Sequence, residues 1–205
     1  IYQCDWSSDV CSSDLNQGVM AHELVLGTHL DLSGPLAPWG LSVRNGLEMA
    51  IKEANETGGI NGRRITLAVR DDSYDPKRAE QAARDLVLQD RVFAVLSPLG
   101  TPTAQAAMHQ ALSRGVLYLF PISASEDAYK PLDPLKFAIT PSHRFAVQEG
   151  LRRVLNARGA MRVGVLASDD EFGRAVKHGA EDELNRRGLE LVAVETFPHG
   201  QSSDL

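Results

Sequence analysis

The chain has 205 residues, 43% hydrophobic and 23% charged, which is enough apolar surface for one large or two small packed domains and excludes a disordered or fibrous chain. Its 27 acidic and 21 basic residues give a net charge of -6, which disfavours nucleic acid as a partner because phosphate binding needs concentrated positive charge. No apolar run approaches the ~20 residues that cross a bilayer as a helix.

Residues 1–15 hold Cys4, Cys11, Trp6, three Asp and four Ser, without apolar periodicity. Residues 9–15 read Asp-Val-Cys-Ser-Ser-Asp-Leu, the in-frame translation of GACGTGTGCTCTTCCGATCT, which resembles a sequencing adaptor. We therefore set residues 1–15 aside as an artefact rather than a natural polar tail. Both cysteines go with them, so neither a disulfide framework nor a cysteine metal site is expected. Losing the three Asp leaves 24 acidic against 21 basic residues, a net charge of -3. The natural N-terminus and any signal peptide are expected to lie outside this sequence.

From Glu23 onward, short β-rich runs alternate with helical stretches. Residues 24–30 predict a strand, followed by turns at Ser33-Gly34-Pro35 and Pro38-Trp39-Gly40. Val43, Leu47, Ala50, Ile51 and Ala54 recur at helical spacing, and Gly58-Gly59 stops that helix. Strands are then expected at 65–69, 92–96, 116–120, 136–139, 162–167 and 189–197. Between them, helices are expected around 79–86, 104–112, 147–155 and 176–184. This βαβα order with continuous apolar strands predicts a doubly wound α/β fold, a parallel sheet covered on both faces by helices. Right-handed crossovers place the loops at 31–40, 71–76, 97–103, 121–127 and 168–173 beside the carboxyl ends of the strands, where such sheets bind ligands.

These loops lack a Gly-rich dinucleotide fingerprint, a Walker A sequence and a Gly-x-Ser-x-Gly elbow, and the six histidines show no HExxH-like spacing. His29, on a strand, is expected to be a core residue, and His109, His143, His178 and His199 surface or helix residues. No constellation supports an enzyme, a cofactor or a metal. The loops offer helix starts instead. Thr101-Pro102-Thr103 predicts an N-cap at Thr101 with Pro102 in the first helical position, so that the N–H groups of Thr103 and Ala104 face outward at the positive end of the helix dipole, ready for a carboxylate. The plain alternative is that Thr101 only caps its helix. Ser123 and Ser125 follow the next strand, with Ser125-Glu126-Asp127 readable as an ordinary N-cap, and Asp75-Pro76 as structural capping.

Several of these segments carry a likeness. Leu26-Gly27-Thr28-His29 with Asp31-Leu32-Ser33-Gly34-Pro35, Gly58-Gly59-Ile60-Asn61-Gly62, Asp71-Asp72 through Asp75-Pro76, Gly100-Thr101-Pro102-Thr103, Phe120-Pro121-Ile122-Ser123-Ala124, and Asp169-Asp170-Glu171-Phe172-Gly173 occur in that order. Together, from about Val19 to Leu205, they resemble the type I periplasmic solute-binding proteins of ABC transporters, in the branched-chain or hydrophobic amino acid and amide group. The resemblance implies two doubly wound lobes joined by three crossovers that close on a small ligand. It places lobe I at about 22–140, the first crossover at Thr140-Pro141-Ser142, and the first part of an incomplete lobe II at 141–205. It implies that Thr101 meets the ligand carboxylate, that Ile122, Ser123 and Ala124 line the pocket through backbone atoms, and that Trp39 and Phe172 flank the ligand. The usual threonine at Ala124 is missing, and Ser123 or Ser125 is expected to replace its hydroxyl.

The implied function is non-enzymatic: an extracytoplasmic, periplasmic, monomeric protein that delivers a ligand to ABC permease subunits. Branched-chain or other hydrophobic amino acids come first, with amides and small organic acids open. The rival is a ligand-sensing domain of a receptor or regulator with the same fold, since fold does not fix function. A hydrolase of small amides is third, disfavoured by the missing nucleophile and base.

Overall fold

The computed structural model describes residues 17–159 and 162–198, and the adaptor-like residues 1–15 lie outside this range. Five strands, β1 (Glu23–Leu30), β2 (Arg64–Asp71), β3 (Ala94–Leu96), β4 (Leu117–Leu119) and β5 (Lys136–Phe137), form a sheet in the order β2-β1-β3-β4-β5. Every pairing is parallel, with Leu26 of β1 opposite both Leu67 and Ala94. Helices α1 (Ala37–Glu56), α2 (Pro76–Leu88) and α3 (Thr101–Leu112) connect the first four strands. A second parallel pair, β6 (Gly164–Ser168) and β7 (Ala193–Phe197), follows with α4 (His143–Arg158) and α5 (Glu171–Asn185).

The core lies between the first sheet and α2 and α3, where Leu86, Val92, Val95, Met108 and Tyr118 pack together. Ala79, Ala83 and Ala107 are fully buried, and their small side chains let α2 and α3 approach closely. Strand β3 is short because the Val92 N–H turns back to Leu86 O at the end of α2 instead of joining the ladder. Likewise the last strand begins at Ala193 rather than Leu189, whose N–H closes the end of α5 on Leu184 O. No helix among the described residues is long and apolar enough to cross a membrane.

Pro38-Trp39-Gly40, expected as a turn, belongs to the first turn of α1. The cause is Asp31, fully buried at the end of β1, whose carboxylate accepts the N–H groups of Ser33, Gly34 and Leu36 and bends the chain straight into the helix. Proline is tolerated at a helix start, and Gly40 is required there, since a Cβ would lie 1.8 Å from Asp31 O. Asp75 caps α2 by accepting from the Arg78 N–H at 2.9 Å, as its sequence suggests. Ser142 and Asp170 do the same for α4 and α5.

Strand order reverses between β1 and β3, the place where an open parallel sheet leaves a crevice outside its carboxyl ends. Non-glycine residues with left-handed backbone gather on that edge: Ser73 and Tyr74 after β2, Ser97 after β3 and Phe120 after β4.

Candidate ligand-binding site

Beyond their strands, β3 and β4 stay in register. Leu99 and Ile122 form a parallel bridge, the Ile122 N–H donates to Pro98 O at 2.8 Å, and the Gly100 N–H donates to Ile122 O at 3.2 Å. This brings the start of α3 against residues 122–124. The helix begins one residue earlier than the sequence suggested: Gly100, at φ 101°, is the N-cap, and Thr101 and Pro102 are the first two helical positions. The Ala104 N–H is therefore spent on Gly100 O at 3.0 Å, which corrects its expected outward role. The N–H groups of Thr101 and Thr103 find no protein acceptor among the described residues, which leaves them as the unsatisfied donors at the positive end of this helix.

Not being the cap, the Thr101 side chain faces its neighbours. Ser123 Oγ donates to Thr101 Oγ1 at 3.1 Å, and Thr101 Oγ1 lies 3.3 Å from His143 Nε2. The Ala124 N–H donates to the same Nε2 at 3.1 Å, and the His143 N–H donates to Ala124 O at 2.7 Å. Phe172, on the first turn of α5, meets the His143 ring edge-on with centroids 4.8 Å apart. Thr101, Ser123, Ala124 and Phe172 thus converge, and the residue on which they converge is His143. The sequence marked it only as a surface or helix residue; it heads α4 and is partly buried, and that burial pushes its imidazole below the usual histidine pKa. Ile122 has both backbone groups spent on the 98–100 segment, which leaves its 40% exposed side chain. Trp39 is 67% exposed at the start of α1 and is not joined to this cluster by any hydrogen bond or ring contact. Ser125 is buried at the N-cap of a short 3-10 turn, Glu126–Ala128, and its hydroxyl has no partner among the described residues.

Tyr74, which sequence reasoning missed, shapes the site. Tyr74 packs on the helix start so closely that a Cβ on Gly100 would lie 2.5 Å from its Cε2 and 2.5 Å from Thr103 Oγ1. Burial, followed by the charges of Asp170, Asp31 and Asp72, pushes the Tyr74 hydroxyl up to about 12. Gly100→Ala is expected to cost about 1–3 kcal/mol of stability through backbone strain, plus displacement of Tyr74; a thermal midpoint unchanged within error contradicts the assignment. Beneath them, fully buried His29 bonds Asp72 through Nδ1 at 2.8 Å and Tyr118 through Nε2 at 3.0 Å. The Tyr118 hydroxyl also lies 3.1 Å from Ala104 O, so α3 is anchored to β1 and β4. His29 is the packed core residue its strand position suggested.

The loop after β1 is tied to that after β2 by Asp71. Burial pushes its carboxyl up, but hydrogen bonds from Ser33 Oγ and the N–H groups of Leu32 and Ser73 outweigh this and hold it below the usual carboxylate range. A depressed carboxylate stabilises the fold above its unfolded pKa and stops doing so as pH falls through the folded value. Stability is therefore expected to fall below about pH 4, and Asp71→Asn to flatten that fall in an acid titration followed by circular dichroism; an unchanged profile contradicts it. A cavity of about 520 Å³ lies beside Arg144, Tyr129 and Gln148, but Thr101, Ser123, Ala124 and Phe172 do not line it. Among the described residues no group of three His, Cys, Asp or Glu side chains is placed to hold a metal ion.

With this geometry in place, the chain can be set beside known proteins. A family described as Periplasmic binding protein matches residues 23–205, and the chain belongs to that family. It is 32% identical over 182 residues to the Leu/Ile/Val-binding protein BraC3 of Rhizobium johnstonii, covering 88% of this chain and 49% of the relative. A substrate-binding periplasmic protein from Ralstonia solanacearum superposes with a TM-score of 0.79 at 27% identity, over 86% of this chain and 50% of that one. The branched-chain amino acid transporter protein LivJ of Streptococcus pneumoniae, solved in complex with isoleucine, superposes at 0.76 and 26% identity, over 89% of this chain and 51% of that one. The fold is that of the type I periplasmic binding proteins, and the chain spans about half the length of the relatives it matches.

Proposed function

We propose that the chain is the first part of an extracytoplasmic solute-binding protein that delivers a small carboxylate, a hydrophobic amino acid before others, to an ABC permease. The observation that carries this reading is the start of α3. At the crevice of a parallel sheet, the N–H groups of Thr101 and Thr103 have no protein acceptor among the described residues, and the Thr101 and Ser123 hydroxyls bond each other beside His143, whose ring Phe172 meets edge-on. Relatives named for leucine, isoleucine and valine, and a neighbour solved with isoleucine, support an apolar ligand body. In this reading Thr101, Ser123 and Ala124 hold the carboxylate, while Ile122, Phe172 and Trp39 cover the apolar part, Trp39 moving in as the lobes close.

The lobes we assign are about 22–140 and 141 onward, hinged near Thr140-Pro141-Ser142. Leu166 and Val194, on opposite faces of the two-stranded sheet, are exposed, and in this reading further strands and helices of a second lobe cover them. Calorimetry on the full-length protein with leucine, isoleucine, valine, phenylalanine, short amides and benzoate tests the reading. About micromolar or tighter binding of a carboxylate is expected, and no binding by any of them contradicts it.

A further inference from the structure

His143 sits where the chain passes from the first sheet to the second, and its Nε2 meets two of the groups just assigned to a ligand, the Thr101 hydroxyl and the Ala124 amide. Ala124 N–H is only a donor, so the Nε2 it meets at 3.1 Å is an acceptor, and the ring is neutral with its proton on Nδ1. Nε2 also faces the Thr101 hydroxyl, whose oxygen accepts from Ser123 and whose proton is left for the imidazole. Burial favours this neutral form.

Among the described residues no charged side chain bonds the ring. On α4, Arg144 is paired with Asp182 of α5 and Glu126 of the 3-10 turn. At the start of α5, Asp170 accepts from the Gly173 N–H and the Ser168 hydroxyl, and Glu171 pairs with Arg174. From the loops after β1 and β2, Asp31 and Asp72 accept backbone N–H groups of their own loops, and Asp72 also bonds His29. Tyr74 lies over Gly100. The charge that an imidazolium at this point needs is therefore the one a ligand carboxylate brings.

We propose that His143 selects the carboxylate: binding transfers one proton from solvent to the Nε2 lone pair, which frees the Ala124 amide and the Thr101 hydroxyl, and imidazolium, amide and hydroxyl then hold the carboxylate together. No covalent bond is made or broken other than N–H, and one proton is taken up per ligand. A carboxamide brings no charge to draw that proton and meets an amide still occupied by the ring, so carboxylates are favoured over their amides. This rests on the carboxylate-binding reading above.

Two measurements on the full-length protein test it. Without ligand, ring-nitrogen NMR is expected to show His143 protonated at Nδ1, with a pKa below the ordinary value of about 6.5; an Nε2–H tautomer overturns the inference whatever the ligand. Calorimetry with leucine, isoleucine, valine, phenylalanine and benzoate at pH 6 and pH 8, in two buffers of different ionisation enthalpy, supplies the second. The tightest binder is expected to bind at least about tenfold more tightly at pH 6 with proton uptake, since affinity rises as pH falls between the two His143 pKa values. At pH 6 its primary amide is expected to bind at least about tenfold more weakly, the loss of one charge-assisted bond. His143→Gln, which fills the site but does not titrate there, is expected to show less than about a twofold difference between the two pH values. Binding that ignores pH in the natural protein, or a His143→Gln protein that keeps the pH gain, overturns this inference alone. Absence of binding by all five probes at both pH values overturns the carboxylate reading beneath it as well.

Discussion

Asp31→Ala is expected to destabilise the protein by at least about 3 kcal/mol, the largest loss foreseen for any single side chain. Its buried carboxylate accepts three backbone N–H groups in the β1–α1 turn, and removing it leaves those partly buried donors without their acceptor. Each hydrogen bond to a charged group contributes about 1.5–3 kcal/mol, and a buried orphan donor adds its own desolvation cost. The first turn of α1, which carries Trp39, is set by that carboxylate, so that turn loosens together with the fold. Urea denaturation of full-length protein measures the effect as a fall in midpoint at unchanged slope. A loss below about 1 kcal/mol would mean that the turn is held by something other than Asp31.

The largest effect on ligand binding is expected at Thr101. Its hydroxyl is bonded to Ser123 and faces His143, and its N–H is one of the two open donors at the start of α3. Thr101→Ala removes the hydroxyl and leaves the N–H, so it isolates one charge-assisted bond of about 1.5–3 kcal/mol, a loss of roughly 10- to 150-fold in affinity. Thr101→Ser restores the hydroxyl and is expected to recover most of the affinity. Calorimetry with the tightest natural-protein ligand reads both variants, and Thr101→Ala binding within a factor of about two contradicts the carboxylate role.

Much of the fold is legible in the sequence because its signals are local. Period-two and period-3.6 apolar patterns place the strands and helices, and Asp75-Pro76 announces the start of α2. The errors come from contacts between distant residues. Nothing local in Pro38-Trp39-Gly40 shows that Asp31 draws the preceding turn into a helix. Thr101 is visible through the proline after it, but a threonine before a proline reads as the cap, and only the φ of 101° at Gly100 moves the helix start back. Tyr74 and Phe120 take left-handed backbone that bulky side chains do not advertise.

His143 is the more instructive case. It reads only as a surface or helix residue after the Thr140-Pro141-Ser142 turn, whereas it heads α4, which begins earlier than its apolar spacing shows and is capped by Ser142. Its role comes from a bond made nineteen residues back in sequence, to the amide of Ala124. A signal was nonetheless present: the loops at 97–103 and 121–127 carry hydroxyls and no basic side chain, and the next histidine after them in the chain is His143.

A crystal structure of the full-length protein with its tightest ligand tests the central claim most directly. The account predicts a carboxylate oxygen about 3 Å from the Thr101 hydroxyl and from a free N–H at the start of α3, with Phe172 against the rest of the molecule. A ligand seated beside Arg144 in the neighbouring cavity, or one that turns an amide or ammonium group toward Thr101, would contradict it.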